Sequence, residues 1–194
     1  MLPAFLVLQL LGCAATQERI SAIQPEAVPP AVLENYSQAL EQMQAGQWPD
    51  ARVRLEELTA AHPALAGPWT NLGIVYTRLG EPEAAETAFR RAIDSNPGNP
   101  VAYNQLGILY RRTNRLEAAR AIYGDALVVA PDDPDTHWNL GILHDVYLPD
   151  ERLALYHYER YRQLTGSEDP QLKAWITALQ ARMPATNMTA KVKP

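Results

Sequence analysis

The sequence has few of the residues on which covalent cross-linking or nucleic-acid binding usually depends. Its 194 residues include a single cysteine, Cys13, which excludes a disulfide within the chain. Lysine is rare, the first being Lys173, and 17 basic residues against 22 acidic ones leave a net charge of -5. No basic stripe is present to neutralise phosphates, so we do not expect nucleic acid as a partner.

Motifs of catalysis and cofactor binding are also missing. The sequence contains no nucleophile elbow, phosphate-binding loop, cofactor fingerprint or HExxH pair. We therefore predict that the protein is not an enzyme and uses neither a cofactor nor a metal ion. His137, His144 and His157 are the residues that come nearest to a metal-ligand set. The alternative, which we favour, is that their rings pack inside the fold and hydrogen-bond across a helix pair.

One apolar run lies at the N terminus and is shorter than the roughly 20 residues that span a bilayer. Residues 2–12 read LPAFLVLQLLG and are followed by Cys13. The sequence LLGC resembles the lipobox of bacterial lipoproteins. The resemblance implies that residues 1–12 are a signal peptide and that Cys13 is acylated. Because alanine rather than aspartate follows Cys13, it also implies the outer membrane, facing the periplasm. The alternative is an apolar segment with an incidental cysteine, and then a soluble cytoplasmic protein.

A 34-residue period is the strongest signal in the rest of the chain. The segments 69–76 (WTNLGIVY), 103–110 (YNQLGILY) and 137–144 (HWNLGILH) align at this spacing. After the first two, small residues, an aromatic residue and a proline follow at equal offsets: Ala85, Phe89, Ala92 and Pro97, then Ala119, Tyr123, Ala126 and Pro131. The pattern resembles the tetratricopeptide repeat (TPR). It implies an all-α solenoid of about four helix-turn-helix repeats, because a single pair of helices cannot bury its own apolar face.

The repeat period divides the chain into segments. We predict an acylated cysteine with a flexible, proline-containing tether at 13–31, repeats at 32–65, 66–99, 100–133 and 134–168, a capping helix at 169–183 and a disordered tail at 184–194. The first and fourth repeats diverge from the pattern. The capping helix is indicated by Asp169-Pro170, an N-cap followed by proline at the first helical position. Its apolar residues recur at helical spacing, at Leu172, Trp175, Ile176 and Leu179.

Glycines are expected to have two roles in the repeats. Gly46 and Gly80 turn the chain between helices, and Asn114 replaces glycine at a left-handed position. A second set, Gly73, Gly107 and Gly141, lets the second helix of each repeat approach closely. Ala85 and Ala119 are expected to meet these glycines with equally small side chains.

In TPR arrays the first helix of each repeat lines a concave groove, so the resemblance implies a binding surface there. The candidate groove residues are Tyr36, Thr70, Asn71, Ile74, Arg78, Asn104, Gln105, Ile108, Arg111, Trp138, Asn139, Ile142 and Asp145. The isoleucines would form an apolar strip, the amides would pair with the backbone of an extended peptide, and the arginines would favour carboxylates. The alternative is an ordinary solvated helix face, with the aromatic fourth repeat as the binding edge.

These features together predict a non-catalytic adaptor that binds another protein, or an extended segment of one, in the groove. The lipoprotein resemblance implies a lipid-anchored, periplasm-facing adaptor for the assembly of a pilus, a secretion system or another envelope complex. If Cys13 is not lipidated, the prediction becomes a soluble cytoplasmic TPR scaffold.

Overall fold

The computed structural model describes residues 28–183, and within this range the chain is helical and contains no strand. The helices are α1 (Pro30–Gln44), α2 (Trp48–Ala61), α3 (Ala66–Leu79), α4 (Pro82–Ser95), α5 (Pro100–Arg112), α6 (Leu116–Val129), α7 (Pro134–Ile142), α8 (Glu151–Thr165) and α9 (Pro170–Arg182). A five-residue π-helix, Leu143–Tyr147, continues α7. The predicted signal segment with Cys13, most of the tether and the predicted tail lie outside the described residues.

The helices form four pairs, α1–α2, α3–α4, α5–α6 and α7–α8, and α9 packs against the last pair. Buried side chains are shared between neighbouring pairs, so that Leu55 packs in one cluster with Leu72, and Phe89 in another with Leu106 and Leu140. No pair encloses a core of its own, which is the packing of a solenoid. The predicted all-α TPR solenoid is therefore confirmed. None of the helices between residues 28 and 183 is both long and apolar enough to cross a bilayer.

The turns and caps follow the local sequence. Gly46, Gly80 and Asn114 have positive φ angles of 72°, 78° and 58°, as predicted, and Gly166 ends α8 in the same left-handed conformation. The Asp169 carboxylate accepts a hydrogen bond from the Gln171 N–H at 2.8 Å and caps α9, again as predicted. These local signals set the ends of the helices and hence the stacking of the pairs.

The close approach of the two helices in each pair involves an aromatic ring rather than an alanine. A Cβ on Gly73 would lie 2.5 Å from the Phe89 ring, and one on Gly107 would lie closer still to the Tyr123 ring. On Gly141 it would lie 2.5 Å from the Tyr158 ring. The expectation that alanines meet these glycines was therefore wrong: an aromatic ring fills the space that the missing Cβ leaves.

The fourth repeat contains one residue more than the second and third between its glycine and its ring. Tyr123 follows Gly107 by 16 residues, whereas Tyr158 follows Gly141 by 17. The π-helix takes up part of this difference, since the Leu148 N–H donates to the Leu143 carbonyl five residues back, at 2.8 Å. As a result Tyr158 lies on the glycine, and His157 at the consensus spacing does not.

A network of charges joins the outer side of the second and third repeats. Glu86 on α4 accepts hydrogen bonds from the Tyr110 hydroxyl and the Arg115 guanidinium, each at 2.6 Å. Burial alone would raise the pKa of Glu86, but these bonds and one from Arg90 outweigh it and hold the pKa below its usual value. The network therefore favours the ionised carboxylate at this joint.

The joint between the first and second repeats has the same layout with the charges reversed. Arg52 on α2 pairs with Glu81 at 3.3 Å, and the Tyr76 hydroxyl donates to Glu56 at 2.8 Å. At the 34-residue spacing Arg52 corresponds to Glu86 and Glu81 corresponds to Arg115. Two equivalent joints are thus closed by ion pairs of opposite polarity.

Candidate binding groove

The predicted groove residues lie in one row along the first helix of each repeat. Tyr36 is on α1, residues 70–78 are on α3, residues 104–111 are on α5, residues 138–142 are on α7, and Asp145 is in the π-helix. Equivalent residues recur along the array because the repeats stack with a constant period. We call this set the first-helix row.

Several polar members of the first-helix row link neighbouring repeats. The Asn71 side-chain amide donates to the Tyr36 hydroxyl at 2.5 Å, and the Asn139 side-chain amide donates to the side-chain Oδ1 of Asn104 at 3.2 Å. Asn104 also donates to Asp133 at 2.8 Å. Thr70, Asn104 and Asn139 are 7%, 5% and 7% exposed. The hydrogen bonds of Asn104 and Asn139 therefore serve the stack, while Thr70 donates to the Ala66 carbonyl of its own helix. Of the four predicted amides, Asn71 and Gln105 are the more accessible.

Other members of the row remain open. Ile74, Gln105 and Ile108 are half-exposed, and Arg78 is exposed. Arg78 lies over the Trp48 ring, with its guanidinium carbon 5.6 Å from the ring centroid. Such cation–π contacts position a guanidinium without neutralising it. The open part of the row is therefore apolar along its middle and positively charged at the helix ends.

The fourth-repeat members of the row contact α9. The Trp138 ring stacks on Trp175 with centroids 5.7 Å apart, and Ile142 packs in the same cluster. Asp145 forms an ion pair with Arg182 at 3.3 Å. The capping helix thus occupies this end of the row, and the open stretch belongs to the first three repeats.

The three histidines pack together inside the fourth repeat. The Nδ1 atoms of His137 and His157 are 3.0 Å apart, and the His144 ring is parallel to that of His157 with centroids 6.1 Å apart. Burial lowers the pKa of all three, and of His157 to about 3 with further lowering by the other two. Within residues 28–183 no three potential ligands are placed to hold a metal ion. The His137 and His157 rings hydrogen-bond between α7 and α8, whereas His144 stacks on His157 and its Nδ1 has no partner in the described part of the chain. The packing interpretation therefore holds for all three rings and the hydrogen bond for two of them.

The candidate groove residues did not include Tyr123, whose ring packs against Gly107 between α5 and α6. This side chain is fully buried, and its hydroxyl has no hydrogen-bond partner in the described part of the chain. Burial raises its pKa, while the nearby Arg111 charge acts in the opposite direction. The sequence has tyrosine at position 123, where the preceding repeat has Phe89, and this added hydroxyl could have marked Tyr123 as a residue of interest.

Stacked helix pairs with a row of half-exposed side chains define a helical-repeat binding scaffold. Two family models of the tetratricopeptide repeat match the chain, at residues 36–100 and 76–140. Together they span more than half of the sequence. The chain therefore belongs to the tetratricopeptide-repeat family, whose members are typically scaffolds without enzymatic activity.

Solved structures share the fold at low sequence identity. PilF of Pseudomonas aeruginosa is 21% identical with a TM-score of 0.69, over 78% of this chain and 68% of that one. The thermophilic TPR protein TTC0263 of Thermus thermophilus is 22% identical with a TM-score of 0.65, over 76% and 80%. The first TPR of Spaghetti (RPAP3), bound to the HSP90 peptide SRMEEVD, is 18% identical with a TM-score of 0.54, over 60% and 93%. No curated protein sequence matches the chain. TPR domains bind protein or peptide partners, and the fold is consistent with an adaptor.

Proposed function

We propose that the protein is a lipid-anchored, periplasm-facing adaptor that binds an extended segment of a partner protein along the first-helix row. The observation that carries the proposal is the open stretch around Ile74, Gln105 and Ile108, whose side chains are half-exposed although Ile74 also packs against the shared core. An apolar strip with a side-chain amide at its edge fits a peptide that buries alternate side chains and pairs its backbone.

The anchor in this proposal is Cys13. Several acyl chains, at about 0.8 kcal/mol per buried CH₂, make a durable membrane attachment, unlike a single myristoyl group. Because α1 begins at Pro30, the tether would be shorter than predicted, over residues 13–29, and would extend about 55 Å at most at about 3.3 Å per residue. Such a reach lets the repeats bind a partner well away from the lipid surface.

Within this proposal the partner belongs to an envelope machine such as a pilus or secretion complex, which the lipoprotein resemblance favours. The second candidate is a soluble cytoplasmic scaffold, in which the groove has the same role and Cys13 remains a free thiol. The groove and the anchor are separate claims, so they need separate tests.

Site-specific photocrosslinking in cells tests the groove. A photoreactive amino acid replaces Gln105 or Ile108 in the row and, as matched controls on outer helices, Val53 or Val128, which are 51% and 80% exposed. We expect one discrete adduct from the row positions and none from the outer positions. Adducts from the outer positions alone would exclude the groove as the binding surface, and mass spectrometry of the adduct identifies the partner.

Metabolic labelling with an alkyne fatty acid tests the anchor. We expect label and outer-membrane fractionation for the wild-type protein, and loss of both in Cys13→Ser. An unlabelled wild-type protein in the soluble fraction would establish the cytoplasmic alternative, whatever the crosslinks show.

A further inference from the structure

An apolar cavity of about 220 Å³ lies between the start of α1 and the start of α3, beside the first-repeat member of the first-helix row. It is lined by Val28, Val32, Leu33, Tyr36 and residues 65–68. The Tyr36 hydroxyl is the one polar side-chain group in this lining, and it already accepts a hydrogen bond from Asn71. A buried water molecule needs several polar partners, so the cavity favours an aliphatic occupant over water.

The described residues leave this cavity open on one side. Leu33, which forms part of its wall, is 52% exposed. A cavity of roughly 150 Å³ is enough to hold a benzene molecule, so this one has room for an isoleucine side chain. An aliphatic occupant would remove its own surface and that of Leu33 from water, which is the driving force for docking.

The N-terminal part of the chain is attached at the cavity itself. Val28, the first described residue, is one of the lining residues. Pro29 is the N-cap of α1 with a ψ angle of 141°, and Pro30 is the first residue of the helix. Two prolines at this point prevent α1 from continuing back past Val28. The helix therefore begins here, and the preceding chain joins it at the rim of the cavity.

The sequence before Val28 contains aliphatic residues within reach. Residues 20–27 read ISAIQPEA, with Ile20 and Ile23 three positions apart. Ile23 is five residues from Val28, and five extended residues span about 16 Å, which exceeds the width of such a cavity. A ligand attached through so short a linker has an effective concentration on the order of millimolar, so it needs only a weak affinity to occupy the cavity.

We propose that residues 20–27 fold back onto the first repeat, with Ile23 in the cavity, Ile20 beside it and Leu33 covered. If Cys13 is acylated as proposed above, this docking leaves residues 13–19 as the free tether, with a reach of about 23 Å at most. The repeats would then bind a partner close to the lipid surface. The reach rests on the proposed function, whereas the docking does not.

Thiol accessibility at two matched positions tests the docking. The full-length chain carries Cys13→Ser and one introduced cysteine, Leu33→Cys or, as the control, Val101→Cys. Val101 has the same position in the third repeat, is 48% exposed against 52% for Leu33, and does not line the cavity. Mass spectrometry follows labelling by N-ethylmaleimide. We expect the Leu33→Cys thiol to react about tenfold or more slowly than the control, the factor by which burial of one aliphatic side chain shifts an equilibrium.

Substitutions in the proposed occupant identify what covers the cavity. Ile20→Asp together with Ile23→Asp should raise the Leu33→Cys rate to that of the control. Ser21→Asp together with Gln24→Asp adds the same charges to the same segment and should leave the rate low. Equal rates for the two thiols with the unaltered segment would overturn the proposal. So would slow labelling that persists with both isoleucines replaced, and a dependence of that shielding on protein concentration would then identify a second copy as the occupant.

Hydrogen exchange by mass spectrometry tests the same docking with the cavity residues unaltered. The Val32 and Leu33 N–H groups donate to the Pro29 carbonyl at 2.9 and 3.2 Å, and a docked segment should slow their exchange. We expect faster exchange in this first turn of α1 when both isoleucines are replaced by Asp, and wild-type exchange in the control with Ser21→Asp and Gln24→Asp. Identical exchange in all three proteins would exclude the docking.

The outcomes separate the docking from the proposed function. A protein that is labelled at Cys13 by fatty acid but has an accessible Leu33→Cys thiol retains the anchor and loses the docking. A shielded thiol in a protein that is not acylated retains the docking and removes the membrane reach derived from it.

Discussion

At the residue scale, each of the second, third and fourth repeats is closed by a ring that lies directly on a glycine. Such a contact leaves no space for a methyl group, because the ring is itself fixed between helices. Tyr123 shows this most clearly, since it is fully buried and lies closest to the Cβ position of its glycine. The stability of the array therefore depends on the absence of a side chain at these positions.

We predict that Gly107→Ala destabilises the protein by about 2 kcal/mol or more, because an added Cβ would overlap the Tyr123 ring. Equilibrium urea denaturation followed by circular dichroism measures the change. The matched control is Gly124→Ala on α6, where nothing lies within 4 Å of the added Cβ. There we expect a gain of about 0.5–1 kcal/mol from helix propensity. Equal effects of the two substitutions would contradict the ring-on-glycine account.

How far the sequence specified the site also depends on single residues. The 34-residue period located the turn at Asn114 and the row containing Ile74, because both depend on local spacing. It did not show that the Asn104 and Asn139 amides bond to each other, since residues 35 positions apart meet only once the repeats stack. Nor did it place Tyr158 on Gly141, because the π-helix and its effect on spacing are not encoded by a recognisable motif.

At the scale of one element pair, α7 and α8 differ from the other pairs in burying three imidazoles. Their pKa values are lowered by burial, so the folded state favours the neutral rings. The unfolded chain has histidine pKa values near 6.5. Below about pH 6.5 the unfolded chain therefore binds more protons than the folded one, and the free energy of unfolding decreases. The decrease continues until the pH reaches the folded pKa of His157, about 3.

We predict that the fourth repeat loosens at pH 5 while the first three repeats remain folded. His157 alone should cost about 2 kcal/mol there, at 1.4 kcal/mol for each pH unit below its unfolded pKa. Hydrogen exchange by mass spectrometry, corrected for the intrinsic rate, should show loss of protection in α7, α8 and α9 between pH 7 and pH 5. The variant His157→Leu should have a smaller pH dependence. Uniform loss across all repeats would refute the local origin.

At the scale of the whole molecule, the array behaves as a row of neighbours with α9 covering one end. Leu172, Ile176 and Leu179 of α9 are buried against the fourth repeat. Within the described residues, α9 packs mainly on α8 and shares no core cluster with the first three repeats. Stability in such arrays is a sum of repeat and nearest-neighbour terms. A substitution that destabilises one end should therefore unfold the repeats nearest to it and leave the distant repeats folded.

We predict that Ile176→Asp detaches α9, because a carboxylate at a position that is 3% exposed cannot be buried without a partner. Tryptophan emission should shift to longer wavelength as Trp138 and Trp175 become hydrated, and hydrogen exchange should increase in α9 and the fourth repeat. Protection in α1 to α4 should be retained. The neighbouring substitution Thr177→Asp, at an exposed position, is the control and should leave both signals unchanged.

The reversed ion pairs at the first two joints disfavour the duplication or deletion of the second repeat. Tandem duplication of the second repeat would place the Glu86 of one copy beside the Glu81 of the next, so two carboxylates would meet where an ion pair is needed. Deleting the second repeat would set Arg52 beside Arg115. Each mismatch replaces a pair worth about 0.2–1 kcal/mol with a repulsion of similar size. Gain or loss of this repeat is therefore disfavoured at the joint by roughly 1 kcal/mol, a penalty that one compensating charge substitution would remove.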